Sequence, residues 1–526
     1  VFVIRPLVLV LLVAFGTAAS APPTAADRTA AYLARIAKDP DPARFLEFIE
    51  ALPKGGDLHH HLTGAVYAES YIAYAAHDGD CFDAHFAIVA PPCDPAKGLS
   101  PATRALSDYD FRILTIAALS LRNYTPSPSD PSMLGHFFDT FFKFDRVVNG
   151  HWGEMLAEVV HRAAIQHEIY LETMLTPDQG EADALGRSVP WTDDLAAMRA
   201  RLDAAGMPHV VADARRHLDD AERQMRTILR CGSAAPDVGC GVTLRYQNQV
   251  LRAMPLPEVF AQMLAGFELA NADGRVVALN PVQSQDDARA MSDFEPQLRM
   301  FAYLHGIYPR VHLSMHAGEL VPGLVPPEQM ESPSHIRDSI EIGHAERIGH
   351  GLDVLYERDP RALLAEMARR HILVEDPLYS HELVKPGRPG SDVILTYLHA
   401  GVPIALATDD EGVIRSDLTQ SFERAVLGYG ITYPQLKLMV RDSLQHAFVA
   451  GADLWAAPED FAHMSGACAG QPLVAIPPAP PCRALLAASV KAQLEWREEI
   501  AFARFEARFG ARDVARARAK AVVDAR

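Results

Sequence analysis

Eight short runs of apolar or β-branched residues recur along the chain, centred near Asp57, Tyr170, Thr243, Val277, Ser314, Ile348, Val374 and Ala405. Each has the length of a buried strand rather than of a helix. From the third run onward the centres lie roughly 26–37 residues apart, and the intervals carry helical spacing of apolar residues, as in Asp359 to Arg370. That is the period of a βα unit, and eight units predict a closed (β/α)8 barrel of the TIM type. The first interval spans about 113 residues, too many for one helix, so an insertion is expected over about 66–165. Leaving the end of the first strand, it would overhang the barrel face where such folds do chemistry, as a candidate lid. Within it, Phe137, Phe138, Phe141, Phe142 and Phe144 fall at helical spacing. They read as a core-packing stripe in preference to an aromatic wall for a flat base.

The flanks divide the chain further. Thr24 to Glu50 alternates apolar and charged residues at helical spacing, giving a helical lead-in over 22–50 that Pro53-Lys54-Gly55-Gly56 breaks. Residues 51–526 then form one barrel unit, with a helical extension from about 456 whose Pro-rich stretch Pro472 to Pro481 reads as a loop. At the front, Arg5, an apolar run from Pro6 to Phe15 and the small residues ending at Ala21 read as a secretory signal over 1–21. The run is well short of the ~20 residues that span a bilayer, so no membrane anchor is expected after its removal, and the mature chain belongs in the periplasm or outside the cell.

Charge and cysteine usage sharpen this picture. The chain of 526 residues carries 49 Lys and Arg against 67 Asp and Glu, a formal charge of −18, which disfavours a nucleic-acid partner. The Arg-rich stretch Ala501 to Arg526 also holds Glu506, Asp513 and Asp524 and reads as a solvated helix face. The 6 cysteines fall as local pairs, Cys81 with Cys93, Cys231 with Cys240 and Cys468 with Cys482. An even count in an exported chain suggests disulfide staples, with free buried thiols as the alternative.

Chemistry concentrates at the ends of four predicted strands. In Asp57-Leu58-His59-His60-His61-Leu62-Thr63-Gly64, residues two apart share a face, so His59 and His61 can meet one metal while His60 points away. Ser314-Met315-His316-Ala317-Gly318-Glu319 offers a third imidazole in His316 and, in Glu319, a carboxylate placed to move a proton. In Arg347-Ile348-Gly349-His350-Gly351 the glycines are expected to leave the His350 ring accessible, to hold and polarise a water. In Ala407-Thr408-Asp409-Asp410, strand alternation should turn the two carboxylates to opposite sides, one to metal and one to substrate. Each fragment alone says little; together they place donors for one metal on a single barrel face. His335, His344, His371, His381 and His463 fall on predicted helices or loops and are read as surface or core residues.

At these four segments the sequence resembles the adenosine and AMP deaminase family, most closely the secreted adenosine deaminases related to the adenosine deaminase growth factors. The resemblance implies one Zn²⁺ held by His59, His61, His316 and Asp409, with Glu319 donating a proton to purine N1. It further implies that His350 orients hydroxide, that Asp409 is also the base toward water, and that Asp410 partners N7. The implied reaction is hydrolytic deamination of adenosine, and of 2′-deoxyadenosine, to inosine and ammonia, used in purine nucleoside salvage. Gly318, Thr63 and Gln283 are the further implied substrate contacts. The chain departs from the family pattern at four places: Thr63 stands where an Asp contacts the ribose, Asn280 to Gln283 replaces a Gly-containing turn, Asp376 to Ser380 replaces a C-P-x-S-N-like segment, and Glu411-Gly412 follows Asp409-Asp410 where many relatives have Pro. The deaminases that bind zinc through His/Cys/Cys are excluded, because no P-C-x-x-C occurs. Two other readings remain: an aminohydrolase or amidohydrolase for another adenine derivative, and a secreted nucleoside-binding or signalling protein without turnover.

Overall fold

The computed structural model describes residues 22–128, 130, 132–321, 324, 334–384 and 393–512, with backbone to 524. The predicted signal segment 1–21 lies outside them. All eight predicted strands form: β1 (Gly55–His61), β2 (Glu168–Leu175), β3 (Thr243–Leu251), β4 (Val276–Val282), β5 (His312–Ala317), β6 (Arg347–His350), β7 (Leu373–Asp376) and β8 (Ile404–Leu406). They pair in chain order, every neighbour parallel. Only three residues long, β8 ends before the ring closes. Closure comes one step later, where Asp409 bridges His60: the Asp409 amide donates to His59 O at 2.9 Å and the His61 amide donates to Asp409 O at 3.0 Å.

A strand covered on both faces is usually a run of Val, Ile and Leu. β1 reads Gly-Gly-Asp-Leu-His-His-His and is nevertheless buried at every residue. Its polar groups are therefore answered from across the barrel. Asp57 accepts from the His59 amide at 3.1 Å through one oxygen, and from the Thr408 amide and hydroxyl at 3.2 and 2.5 Å through the other. Gly55 starts the strand with φ of +67°, and a Cβ there would lie 2.6 Å from Ser443 Oγ and 2.8 Å from Val440 O. No other residue fits that entry.

The barrel interior below the site is charged. Arg347, fully buried, lies 2.5 Å from Glu172 Oε2 and 2.7 Å from Glu375 Oε1, donates to His446 O at 3.0 Å, and sits over the Phe448 ring. One cation thus neutralises two dry carboxylates.

The first interval holds a three-stranded antiparallel sheet (Cys81–Phe82, Ile88–Val89, Ser100–Pro101) and the helices Ala68–Asp78, Tyr109–Ala118, Met133–Val148 and Trp152–Ile165. Phe137 and Phe144 are buried there, Phe144 stacked on Tyr71 at 4.2 Å, so those two rings are core; Phe142 faces solvent. The Leu121 amide donates to Val413 O at 2.8 Å, and Leu62, Val413 and Ile414 share this core, so the segment packs at the end of the barrel where β8 leads out.

The lead-in is two helices, Ala25–Ile36 and Ala43–Ala51, rather than one. Asp39-Pro40-Asp41-Pro42 separates them, since a residue before proline avoids the helical region. Phe48 on the second helix packs edge-on against Phe505 and Phe509, and Arg508 and Arg512 pair with Glu47. Part of the basic tail is therefore an internal clamp. The three local cysteine pairs are disulfides, Cys81–Cys93, Cys231–Cys240 and Cys468–Cys482. Among the described residues no helix is long and apolar enough to cross a membrane.

Removing Arg347 would strand Glu172 and Glu375 without their countercharge. The variant R347Q should lose about 3–5 kcal/mol of stability, the usual cost of breaking a buried ion pair from one side. Chemical denaturation reads this as a lowered midpoint, and an unchanged midpoint would refute the dependence.

Candidate metal centre and active site

Strand geometry brings the predicted ligands together. His61 Nε2 lies 3.1 Å from His316 Nε2, and Asp409 Oδ1 lies 3.6 Å from His59 Nε2 and 3.5 Å from His61 Nε2. Four donors on one ion with bonds of about 2.0–2.2 Å stand roughly 3.3–3.6 Å from one another, so the spacing suits a single cation. His60 turns away, its Nδ1 2.8 Å from Thr173 Oγ1, as alternation predicts.

The far side of each ring is engaged. His59 Nδ1 lies 2.8 Å from Glu375 Oε2, His316 Nδ1 2.6 Å from Asn280 Oδ1, and His61 Nδ1 3.0 Å from the Gln249 amide. Such partners fix ring orientation and leave the inward nitrogens for a metal. Burial pushes His61 down to about 3 and His316 well below its ordinary value, so both are neutral imidazoles. Burial opposes the charge on His59 too, but the hydrogen bonds and charges of Asp409 and Glu375 outweigh it and carry it up to about 10. Asp409 is likewise disfavoured by burial yet held well below the carboxylate range by His59, His350 and His61. At 3.6 Å from Asp409 Oδ1, the buried His59 Nε2 is beyond ordinary hydrogen-bond distance of its nearest acceptor. Three imidazoles and one ionised carboxylate, with a dry nitrogen lacking a close acceptor among them, fit zinc.

Asp409 and Asp410 do not obey strand alternation. Asp409 has φ of +66°, in the left-handed region, and one oxygen from each carboxylate lies within 4.8 Å of a His61 nitrogen. The chain has left the extended conformation before these residues, so both carboxyls face the same pocket. Asp410 is pushed well above the carboxylate range by burial, Asp409 and Glu319, and its Oδ1 has no partner. Glu319 is pushed up to about 7 by burial, with Arg252, 3.4 Å away, pulling the other way.

His350 joins the cluster, its donor within 4.8 Å of those of His59 and Asp409 and its Nε2 4.0 Å from Glu319 Oε1. Its ring is buried rather than accessible. The preceding glycine serves a different end: a Cβ at Gly349 would lie 2.6 Å from His59 Cε1, so only glycine leaves room for that ligand. Among the implied substrate contacts, Gly318 (φ +66°) turns the chain so that Gln285 Oε1 accepts from the Glu319 amide at 2.8 Å. Thr63 is half-buried beside β1, its carbonyl accepting from Tyr71 at 2.6 Å. Gln283 spends its side-chain oxygen on the Ala253 amide at 2.9 Å and its carbonyl on Arg252.

The adenosine deaminase family profile matches residues 207–453. The match covers a little under half of the chain. It holds His316, Glu319, His350, Asp409 and Asp410, while His59 and His61 precede it. Among curated relatives, a putative adenosine/adenine deaminase of Streptomyces virginiae is 32% identical over 208 residues, covering 37% of this chain and 55% of its own. An adenosine deaminase-like protein of Drosophila melanogaster is 24% identical over 229 residues, covering 43% and 61%. The chain thus spans little more than half the length of these relatives. A zinc-bound amidohydrolase from Burkholderia ambifaria (TM-score 0.50, 18% identity, 78% of this chain and 90% of that one) and an Arabidopsis N6-mAMP deaminase (0.50, 18%, 77% and 96%) share the fold.

Several residues of the deaminase-family segment escaped the sequence reading. His381, taken for an ordinary core or surface histidine, is buried with its Nε2 3.2 Å from His350 Nδ1 and its Nδ1 3.1 Å from Asp376 Oδ1. Ser380 donates to Asp409 Oδ2 at 2.7 Å. Glu375, Asn280 and Gln249 stand behind the ligands. A signal lay in two of the departures from the family pattern, which hold Ser380 and Asn280 themselves.

Replacing Glu375 with Gln keeps its size and removes the charge behind His59. Zinc affinity, measured by chelator competition, should fall about 10–100-fold; unchanged affinity would remove Glu375 from the metal's support.

Proposed function

We propose that the protein is a zinc-dependent aminohydrolase that deaminates an adenine nucleoside, adenosine first, to inosine and ammonia. The observation that carries this reading is the convergence of His59, His61, His316 and Asp409 with Glu319, His350 and Asp410 on one pocket. Zinc held by the first four would supply Lewis acidity, lowering the ionisation of a water to about pH 7. The remaining chemistry falls to side chains. Asp409, the ionised carboxyl of the pocket, takes the proton released by the water. His350, its ring held from behind by His381 and Asp376, orients the oxygen toward purine C6. Glu319, protonated up to about pH 7, gives its proton to N1 and makes C6 electrophilic. Asp410 remains a neutral acid, so its O–H can donate to N7, which is an acceptor. Adenosine and water give inosine and ammonia, with the C6–N bond exchanged for C–O.

The three disulfides support placement in the periplasm or outside the cell, since such bonds persist in oxidising compartments. Adenosine is favoured among adenine derivatives by the family match, while the committed Gln283 side chain and Thr63 leave the sugar end as the place where preference is decided. Purified mature protein with one zinc per chain should release ammonia from adenosine, and a panel with deoxyadenosine, adenine, AMP and methylthioadenosine ranks the substrates. Exclusive turnover of a non-nucleoside would overturn the substrate assignment.

E319Q should lower kcat by about 10²–10⁴ while zinc content and ligand binding stay near wild type; full activity would refute the proton-donor role. In the wild type, kcat/KM should decline as pH rises through about 7, because the raised pKa of Glu319 means the donating form exists below that value and is lost above it. A profile flat from pH 6 to about 9 would contradict it.

A further inference from the structure

A second group of metal-ligating side chains lies outside the active site, at the root of the insertion. His77 and Asp78 close the last turn of the helix Ala68–Asp78, which Gly79 terminates in the left-handed conformation. His151 is the residue before the helix Trp152–Ile165, and its side chain makes no capping bond there. Instead its Nε2 lies 3.0 Å from Asp78 Oδ2, while His77 Nδ1 lies 3.1 Å from Asp78 Oδ1. One donor atom from each of the three lies within 4.8 Å of the others.

His151 is the buried member of the group. The His151 side chain is 8% exposed, stacked on Tyr74 at 4.3 Å, and its buried Nδ1 has no hydrogen-bond partner. Facing that nitrogen is Glu154 Oε1 at 3.7 Å. With its proton on Nδ1, the side that faces Glu154 without a hydrogen bond, the ring leaves Nε2 free to ligate once a cation takes the place of the Asp78 contact. The helix end adds the negative pole of its dipole on the same side.

We propose that His77, Asp78 and His151 bind a divalent cation of the zinc class, with solvent completing its coordination. Two imidazoles and one carboxylate select a late first-row ion over calcium or magnesium, which take oxygen ligands. His77 stands early in the insertion and His151 near its end, beside the Cys81–Cys93 disulfide, so the ion would clasp both ends of the segment together.

The test is zinc stoichiometry of the full chain after chelator stripping and re-dialysis, comparing wild type with H77A and with H151N. Each variant should bind about one zinc fewer than wild type, and the zinc-dependent rise in melting temperature should shrink while adenosine turnover stays at the wild-type rate in H77A. Because the comparison reads a difference, it stands whatever the catalytic cluster holds. H77A alters an exposed side chain and folds independently of the harsher change at His151. Equal zinc content in wild type and H77A would overturn the proposal, as would stripping that lowers the melting temperature of both by the same amount.

Discussion

The barrel closes through the residues proposed to hold the metal. β8 is too short to reach the end of β1, and the last two hydrogen bonds of the ring join Asp409 to His59 and His61. For Asp409 to make both, its backbone adopts a left-handed φ of +66°, a conformation costing a residue with a side chain of order 1–3 kcal/mol. The surrounding sheet enforces it. Ligand position and barrel closure are therefore one constraint, and neither can shift without the other.

Beneath this seam a line of charge runs through the barrel. Arg347 sits between Glu172 and Glu375, and Glu375 holds His59 from behind. In a dry interior each charge needs its partner, so the chain fixes the orientation of His59 rather than merely tolerating it. The Arg347 contact with His446 O extends the line to the opposite barrel mouth. Polar burial on this scale replaces the apolar filling usual for such barrels, which explains why β1 can be built from histidines and an aspartate.

What the sequence revealed follows from which signals are local. Strand period and the H-x-H spacing depend only on neighbours along the chain, so all eight strands and the inward pair His59 and His61 were legible. The alternation rule failed at Asp409 and Asp410 because it holds only within extended backbone, and nothing nearby announces a left-handed aspartate. His381 was missed because its meaning lies in a contact with His350, 31 residues away; on a helix, one histidine looks like any other. The lead-in is helical as its apolar spacing indicates, and its division at Asp39 to Pro42 comes from backbone restriction before the prolines, which that spacing does not carry.

Three carboxyls share the pocket, and their environments separate them. Burial raises all three, but Asp409 lies against His59, His61 and His350 together, and those contacts keep it ionised. Asp410 and Glu319 feel its negative charge together with their own desolvation and are driven toward the acid form. Burial is the larger cause of both shifts, and the ionised Asp409 adds to it. One ionised carboxyl and two carboxyls driven toward the acid form, as the proposed reaction uses, thus come from acidic side chains separated by where the surrounding imidazoles lie.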